Sequence, residues 1–171
     1  MDPYQPDAWH DFFVASAGAA AALTGLLFVA LSLHIRFIAS NRVHRNQARG
    51  SLIGLVQVLV ISLAILMRQP AEWAGIEQAL IGVFYLVVIG GYQLISLRRA
   101  KWQIARISLV RSSYGYLLAV VGTFAGLSIY TRVGPGLYAV AFIVAAIIVW
   151  NLRNAWFLLM GVADEYLVEA R

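Results

Sequence analysis

The sequence predicts an all-α integral membrane protein with about five transmembrane helices, an outside N-terminus and a cytoplasmic C-terminus. Hydrophobic residues make up 61% of the 171 residues and charged residues only 12%, against roughly 25% charged residues in an ordinary soluble domain. Uncharged stretches close to the length of a bilayer crossing recur along the chain. Basic residues concentrate in alternate connections between these stretches, as they do in cytoplasmic loops.

Five uncharged stretches define the predicted spans, since each is long enough to cross a hydrocarbon core of about 30 Å. They cover residues 12–35, 51–67, 78–97, 112–131 and 133–152. The second stretch is the shortest, but Arg49 and Arg68 at its ends can extend to the two interfaces.

Two short links contain Gly and Pro, one at 69–75 and one at 133–136, where the first residues of the fifth stretch also form the turn. The spans that flank each link should therefore be antiparallel neighbours. Residues 153–171 form a predicted cytoplasmic tail that continues the fifth helix and ends in acidic residues. We expect residues 1–171 to make a single transmembrane helical domain.

The orientation follows from the distribution of Lys and Arg. Four arginines lie between spans one and two, five basic residues lie between spans three and four, and two arginines follow span five. Only Arg68 and Arg132 lie on the opposite side. Because the number of spans is odd, the N-terminus is predicted outside and the C-terminus in the cytoplasm.

The same basic residues raise the pI to about 9.9, which in a soluble domain would suggest nucleic-acid binding. Here the orientation rule accounts for them, and no nucleic acid is expected as a partner. Basic residues at a bilayer surface attract anionic lipid headgroups. The predicted headgroup contacts are Arg42, Arg45, Arg49, Arg99 and Arg106.

The first span is unusually rich in small residues. The pairs Gly18 with Ala22 and Ala21 with Gly25 have the four-residue spacing at which helices approach closely in lipid. One interpretation is a helix at the centre of a single five-helix bundle. The other places copies of this span around the axis of a homo-oligomer, where hydroxyl groups would line a pore. The candidate lining hydroxyls belong to Ser16, Thr24 and Ser32.

Asp11 lies at the predicted outer entry to the first span. An acidic residue there complements the helix dipole and can cap the first turn. In an oligomer the same residue would be repeated as a ring of carboxylates, which concentrates cations at the mouth of a pore.

Polar residues within the other spans are amides and hydroxyls rather than ionisable groups. Proton-coupled transporters place ionisable residues near the middle of the membrane, so this class is disfavoured. Gln57 and Gln93 both lie near the cytoplasmic edge and are predicted to hydrogen-bond across spans two and three as packing contacts.

Neither a metal, a cofactor nor an enzymatic activity is expected. The chain contains no cysteine, and His10 and His34 lie at opposite ends of the first span, too far apart to share one metal ion. His44 lies among arginines in a loop. No hydrolase motif falls within a span.

The opening sequence WHDFFV at residues 9–14, followed by GAAAALTGLLFVALS at 18–32, resembles a group of small bacterial membrane proteins. Members of that group are sometimes labelled modulators of a membrane-bound protease. The resemblance implies a helical membrane fold and a bacterial inner membrane, and it brings no catalytic residue to this chain.

Three functions are therefore predicted. The first is a homo-oligomeric pore or ion channel with a preference for cations, built around the first span. The second is a non-conducting interaction or regulatory subunit whose small-residue face docks a membrane protein partner. The third is a protein that binds anionic lipid through its basic face.

Overall fold

In the computed structural model, a short 3-10 helix precedes five long α-helices, and no strand occurs among the described residues. The structure describes the backbone of residues 2–35, 38, 42–99 and 102–169, and the side chains of residues 2–35, 38, 44–91, 114–157 and 160. The 3-10 helix is Pro6–Trp9, and the α-helices are α1 (His10–Leu33), α2 (Arg42–Leu66), α3 (Ala71–Arg99), α4 (Trp102–Thr131) and α5 (Leu137–Glu169).

Each of these five helices contains a segment long and apolar enough to cross a membrane. The segments are Pro6–Leu33, His44–Leu66, Ala71–Gly91, Tyr114–Thr131 and Leu137–Phe157. The predicted all-α fold with five spans is therefore confirmed, and by length and composition the chain is a multi-pass membrane protein. The side of the membrane on which each terminus lies stays a prediction.

The helices begin and end at residues that the uncharged stretches did not mark. α3 begins at Ala71, seven residues before the predicted span, because Glu72 and Glu77 continue a helix as readily as apolar residues do. α5 begins at Leu137 because Gly134 and Gly136 have φ angles of 100° and 50°, which end helical geometry. The same helix runs to Glu169, so the predicted continuation of the fifth helix is confirmed.

Contacts divide the chain into two compact units. Unit 1 is Met1–His10 with Ala64–Ile143, and it contains the 3-10 helix, α3, α4 and the start of α5. Unit 2 is Asp11–Leu63 with Val144–Arg171, and it contains most of α1, most of α2 and the rest of α5. Each unit is described by itself.

Glycines hold α3 and α4 together in unit 1. A Cβ atom added at Gly75 would lie 2.7 Å from the backbone nitrogen of Tyr130, and one added at Gly82 would lie 2.7 Å from that of Thr123. From the other helix, a Cβ atom at Gly126 would lie 2.6 Å from the carbonyl oxygen of Gly75. Only a hydrogen at these positions lets the two backbones come so close.

Unit 2 has a comparable contact between α2 and α5. Asn151 is 4% exposed, and its Nδ2 donates a hydrogen bond of 2.8 Å to the carbonyl oxygen of Ile147. The amide group lies directly over Gly54, where an added Cβ atom would lie 2.8 Å from Asn151 Cγ. The missing side chain at Gly54 therefore makes room for a buried amide.

Candidate helix-association site

α1 has a buried face and an exposed face along its whole length. Phe13, Ser16, Ala20 and Leu27 are buried, at spacings of three, four and seven residues that repeat along one side of a helix. The opposite side is exposed, and it carries most of the small residues that the sequence singled out.

We call this surface the open face of α1. It consists of exposed residues with side chains no larger than a methyl group: Ala15, Gly18, Ala19, Ala21, Ala22 and Gly25. A Cβ atom added at Gly18 or Gly25 would meet no atom within 4 Å in the part of the chain that the structure describes. Larger apolar side chains border the face, among them Leu26, which is 68% exposed. The four predicted helix-packing residues, Gly18, Ala21, Ala22 and Gly25, thus lie together on an uncovered surface.

The candidate pore residues divide between the two faces of α1. Asp11 and Ser32 are exposed, Thr24 is half-buried and Ser16 is 7% exposed. The hydroxyl of Thr24 donates to the carbonyl oxygen of Ala20 at 2.7 Å, and Ser32 bonds its own helix in the same way. Such bonds satisfy a hydroxyl without water. Their role as a pore lining stays a prediction.

The amide pair is only partly described. Gln57 is half-buried, and the side chain of Gln93 lies outside the described residues. Sequence reasoning missed a third amide, Gln78, which is 1% exposed and whose Oε1 has no hydrogen-bond partner among the described residues. Its Nε2 lies 3.6 Å from the position of a Cβ atom at Gly122. The sequence contained one signal for this contact, which was a polar residue in the third helix and glycines in the fourth.

The predicted lipid contacts are also partly described. Arg45 and Arg49 are exposed near the start of α2. The side chains of Arg42, Arg99 and Arg106 lie outside the described residues. No group of three or more His, Cys, Asp or Glu residues in the described part of the chain is placed to hold a metal ion.

The N-terminal segment of unit 1 is fastened to the link between α4 and α5. The hydroxyl of Tyr4 donates to the carbonyl oxygen of Gly134 at 2.6 Å, and the backbone nitrogen of Leu137 donates to the carbonyl oxygen of Pro3 at 2.8 Å. The ring of Trp9 packs edge-on against that of Tyr138, with centroids 4.6 Å apart. These bonds hold the segment in place beside the helix ends.

Two cavities border this segment within unit 1. We call the larger one, of about 590 Å³, the Arg68 cavity, and it lies between residues 6–10 and residues 65–69. The smaller one, of about 300 Å³, includes Tyr4 and Arg132 in its lining. Arg132 also forms an exposed ion pair of 2.6 Å with Glu72.

Among the surfaces just described, two are candidates for binding: the open face of α1 and the Arg68 cavity. The resemblance of the first span to small bacterial membrane proteins stays a prediction, since a scan against family models, a search of the curated proteins and a search of the solved structures each found no match.

Proposed function

We propose that the protein is a membrane-embedded interaction subunit that associates with a second copy of itself through the open face of α1. The observation that carries the proposal is the empty space beside Gly18 and Gly25, where an added Cβ atom would meet nothing within 4 Å. In lipid, helices associate where small residues let their backbones approach. A surface made only of small side chains is also complementary to itself across a two-fold axis.

A face intended for lipid has a different composition. α3 exposes large apolar side chains to its surroundings, with Leu80 62%, Phe84 62% and Val87 67% exposed. Large side chains make many dispersion contacts with acyl chains, while the methyl and hydrogen groups of the open face make few. The contrast supports protein rather than lipid as the neighbour of α1.

Disulfide cross-linking tests the association directly, because the chain contains no cysteine of its own. We expect Ala22→Cys, on the open face, to form a covalent dimer when oxidised in vesicles. Positions Gly18, Gly25 and Val29 should cross-link on the same helical period. A disulfide requires Cα atoms within about 7 Å, which only close helix packing provides.

Two matched controls separate association from collision. Ala20→Cys replaces the same residue type on the same helix, but Ala20 is 0% exposed and should not cross-link. Leu80→Cys lies on an exposed surface of α3 and reports random encounters in the bilayer. If Ala22→Cys cross-links no faster than Leu80→Cys, the association through α1 is wrong.

A cation-preferring pore is the second candidate, and the placement of Asp11 and Ser32 favours it. Both are exposed, near opposite ends of α1. In the predicted orientation, with the N-terminus outside a bacterial inner membrane, an oligomer would carry a ring of Asp11 carboxylates at its outer mouth.

Ion flux from liposomes distinguishes the two candidates. A pore predicts cation flux that Asp11→Asn weakens and that Glu72→Gln, in an acidic residue of α3 whose side chain is 44% exposed, leaves unchanged. A cross-linkable protein without flux at several voltages supports the non-conducting subunit. Flux that persists in a variant unable to associate would contradict an oligomeric pore.

A further inference from the structure

The Arg68 cavity has two walls of different character. One wall contains Asp7 of the 3-10 helix and His10, the first residue of α1, and the other is the end of α2 with the residues that follow it, from Ile65 to Gln69. Ile65 is buried, so the floor beside the polar groups is apolar. The volume of about 590 Å³ falls in the range of small-molecule sites, roughly 300–1,000 Å³.

The cavity lies where apolar helix gives way to polar chain. The candidate span of α2 ends at Leu66, and Arg68 follows two residues later. Met67 is 52% exposed and Trp73 is 60% exposed, and tryptophan is enriched at the interface between bilayer and water. We therefore expect this cavity to lie at the depth of the lipid headgroups.

The side chains that line the cavity carry both positive and negative charge. The guanidinium of Arg68 presents a planar fork of N–H donors that matches a phosphate, and the imidazole of His10 can donate one more hydrogen bond. Asp7 brings a carboxylate. The Nε2 of Gln69 donates to Glu77 Oε2 at 2.8 Å and to the carbonyl oxygen of Ala64 at 3.3 Å, which fixes the amide and leaves its oxygen to accept.

We infer that the Arg68 cavity binds the headgroup of an ethanolamine phospholipid. The phosphate lies against Arg68 and His10. The primary ammonium donates to the carboxylate of Asp7 and to the side-chain amide oxygen of Gln69. A choline headgroup has no N–H to donate, and a glycerol headgroup leaves the carboxylate of Asp7 without a cation. The site therefore selects ethanolamine, and it is distinct from the anionic-lipid contacts predicted for Arg45 and Arg49.

Native mass spectrometry of the delipidated full chain tests this inference. The protein is mixed with equal amounts of ethanolamine, choline and glycerol phospholipids that carry identical acyl chains. We expect the ethanolamine lipid to be retained about tenfold more than either competitor, the difference made by one or two charge-assisted hydrogen bonds. Equal retention of all three lipids, or preference for the glycerol lipid, overturns the inference.

Variants locate the site and assign each polar group. Arg68→Gln should lower retention of all three phospholipids, while Asp7→Asn should abolish only the preference for ethanolamine. Arg132→Gln is the control, because Arg132 is an exposed arginine of unit 1 that lies outside this cavity. If Arg132→Gln costs as much as Arg68→Gln, the binding is non-specific attraction to surface charge and the inference is wrong.

A competition arm separates a lipid from a dissolved phosphate, since both present the same oxygens to Arg68. Inorganic phosphate should displace no ethanolamine lipid, because it lacks both the ammonium and the acyl chains beside Ile65 and Met67. Displacement by inorganic phosphate would overturn the lipid as the occupant. Circular dichroism melting of each variant verifies that the helices are intact.

Discussion

The interface of α3 with α4 and the open face of α1 use the same kind of residue to different ends. Gly75, Gly82 and Gly126 lie against the backbone of the neighbouring helix in the same chain. A Cβ atom added at Gly18 or Gly25 would meet no atom of the described residues within 4 Å. In both regions the glycines of one helix, Gly75 with Gly82 and Gly18 with Gly25, lie about two helical turns apart on one side, which allows close approach of helices in lipid.

This difference shows that small residues give a helix the capacity for close packing but do not specify which helix packs against it. On α3 and α4 the chain itself fills that capacity, and the glycines are structural. Beside Gly18 and Gly25 of α1 the described residues leave that capacity unused, so the same residue type becomes the candidate site for association. Four experiments sharpen or break this comparison.

The largest effect is expected at the filled interface. A methyl group in Gly126→Ala would lie 2.6 Å from the carbonyl oxygen of Gly75 and would also meet the backbone nitrogen of Ala79. Backbone atoms cannot move aside cheaply, so overpacking should lower the free energy of unfolding by about 1–3 kcal/mol. Reversible denaturation in mixed micelles measures the change.

The matched control for Gly126→Ala is Gly91→Ala. Gly91 is an exposed helical glycine with nothing within 4 Å of its Cβ position. The alanine there should be neutral or stabilising, since it favours helix by up to about 1 kcal/mol. Equal destabilisation by the two variants would show that α3 and α4 are not packed through Gly126.

The next effect concerns the open face. In Gly18→Leu the Cβ atom would meet no described atom within 4 Å, and Gly18 is exposed, so folding of the monomer should be unaffected. Between two copies the added bulk would keep the helices apart and weaken dimerisation about tenfold, or 1.4 kcal/mol. Förster transfer between labelled copies in vesicles measures this, with Gly91→Leu as the control. Weakening by both variants alike would argue against the open face.

A smaller effect is expected where α2 meets α5. In Gly54→Ala the methyl group would displace the amide of Asn151 and break its bond to Ile147, at a cost of about 1 kcal/mol. In an Asn151→Ala background the same change should cost nothing, so a double-mutant cycle should give a coupling of about 1 kcal/mol. Purely additive effects would contradict the contact.

The smallest effect is expected at the ion pair of Glu72 with Arg132. The two side chains are 44% and 62% exposed, and exposed ion pairs contribute little to stability. Glu72→Gln should leave the melting temperature unchanged within error at physiological salt. A clear loss that salt suppresses would mean that this pair fastens the ends of α3 and α4 more strongly than its exposure implies.

Much of the fold could be predicted from single residues and their neighbours. The five spans were found from uncharged length alone, and the continuation of the fifth helix was found from its apolar pattern. Their first residues were not, because Glu72 and Glu77 are polar by composition yet helical in structure, and because the break before α5 depends on Gly134 and Gly136 adopting positive φ angles.

Part of the candidate site could be predicted from the sequence. The small residues of α1 were recognised from the sequence, and Ser16, Thr24 and Ser32 were predicted to line a pore together. In the structure Ser16 is on the buried side and Ser32 on the exposed side, and their role as a pore lining stays a prediction. The polar residues of the Arg68 cavity are far apart in the sequence, so no local motif joins Asp7 with Arg68.

The sequence by itself determined that this chain has five segments long and apolar enough to cross a membrane, because hydropathy and length are local properties and a bilayer admits only segments that satisfy their own backbone hydrogen bonds. Only the tertiary structure decided which small residues pack against a neighbouring helix and which are exposed. That choice depends on the rotation of each helix about its axis, and the rotation is set by the contacts of the whole unit. Gly126 and Gly18 are both glycines within apolar sequence. Gly126 is a structural contact because a neighbouring helix packs against it, whereas Gly18 is a candidate site because the described residues leave space beside it.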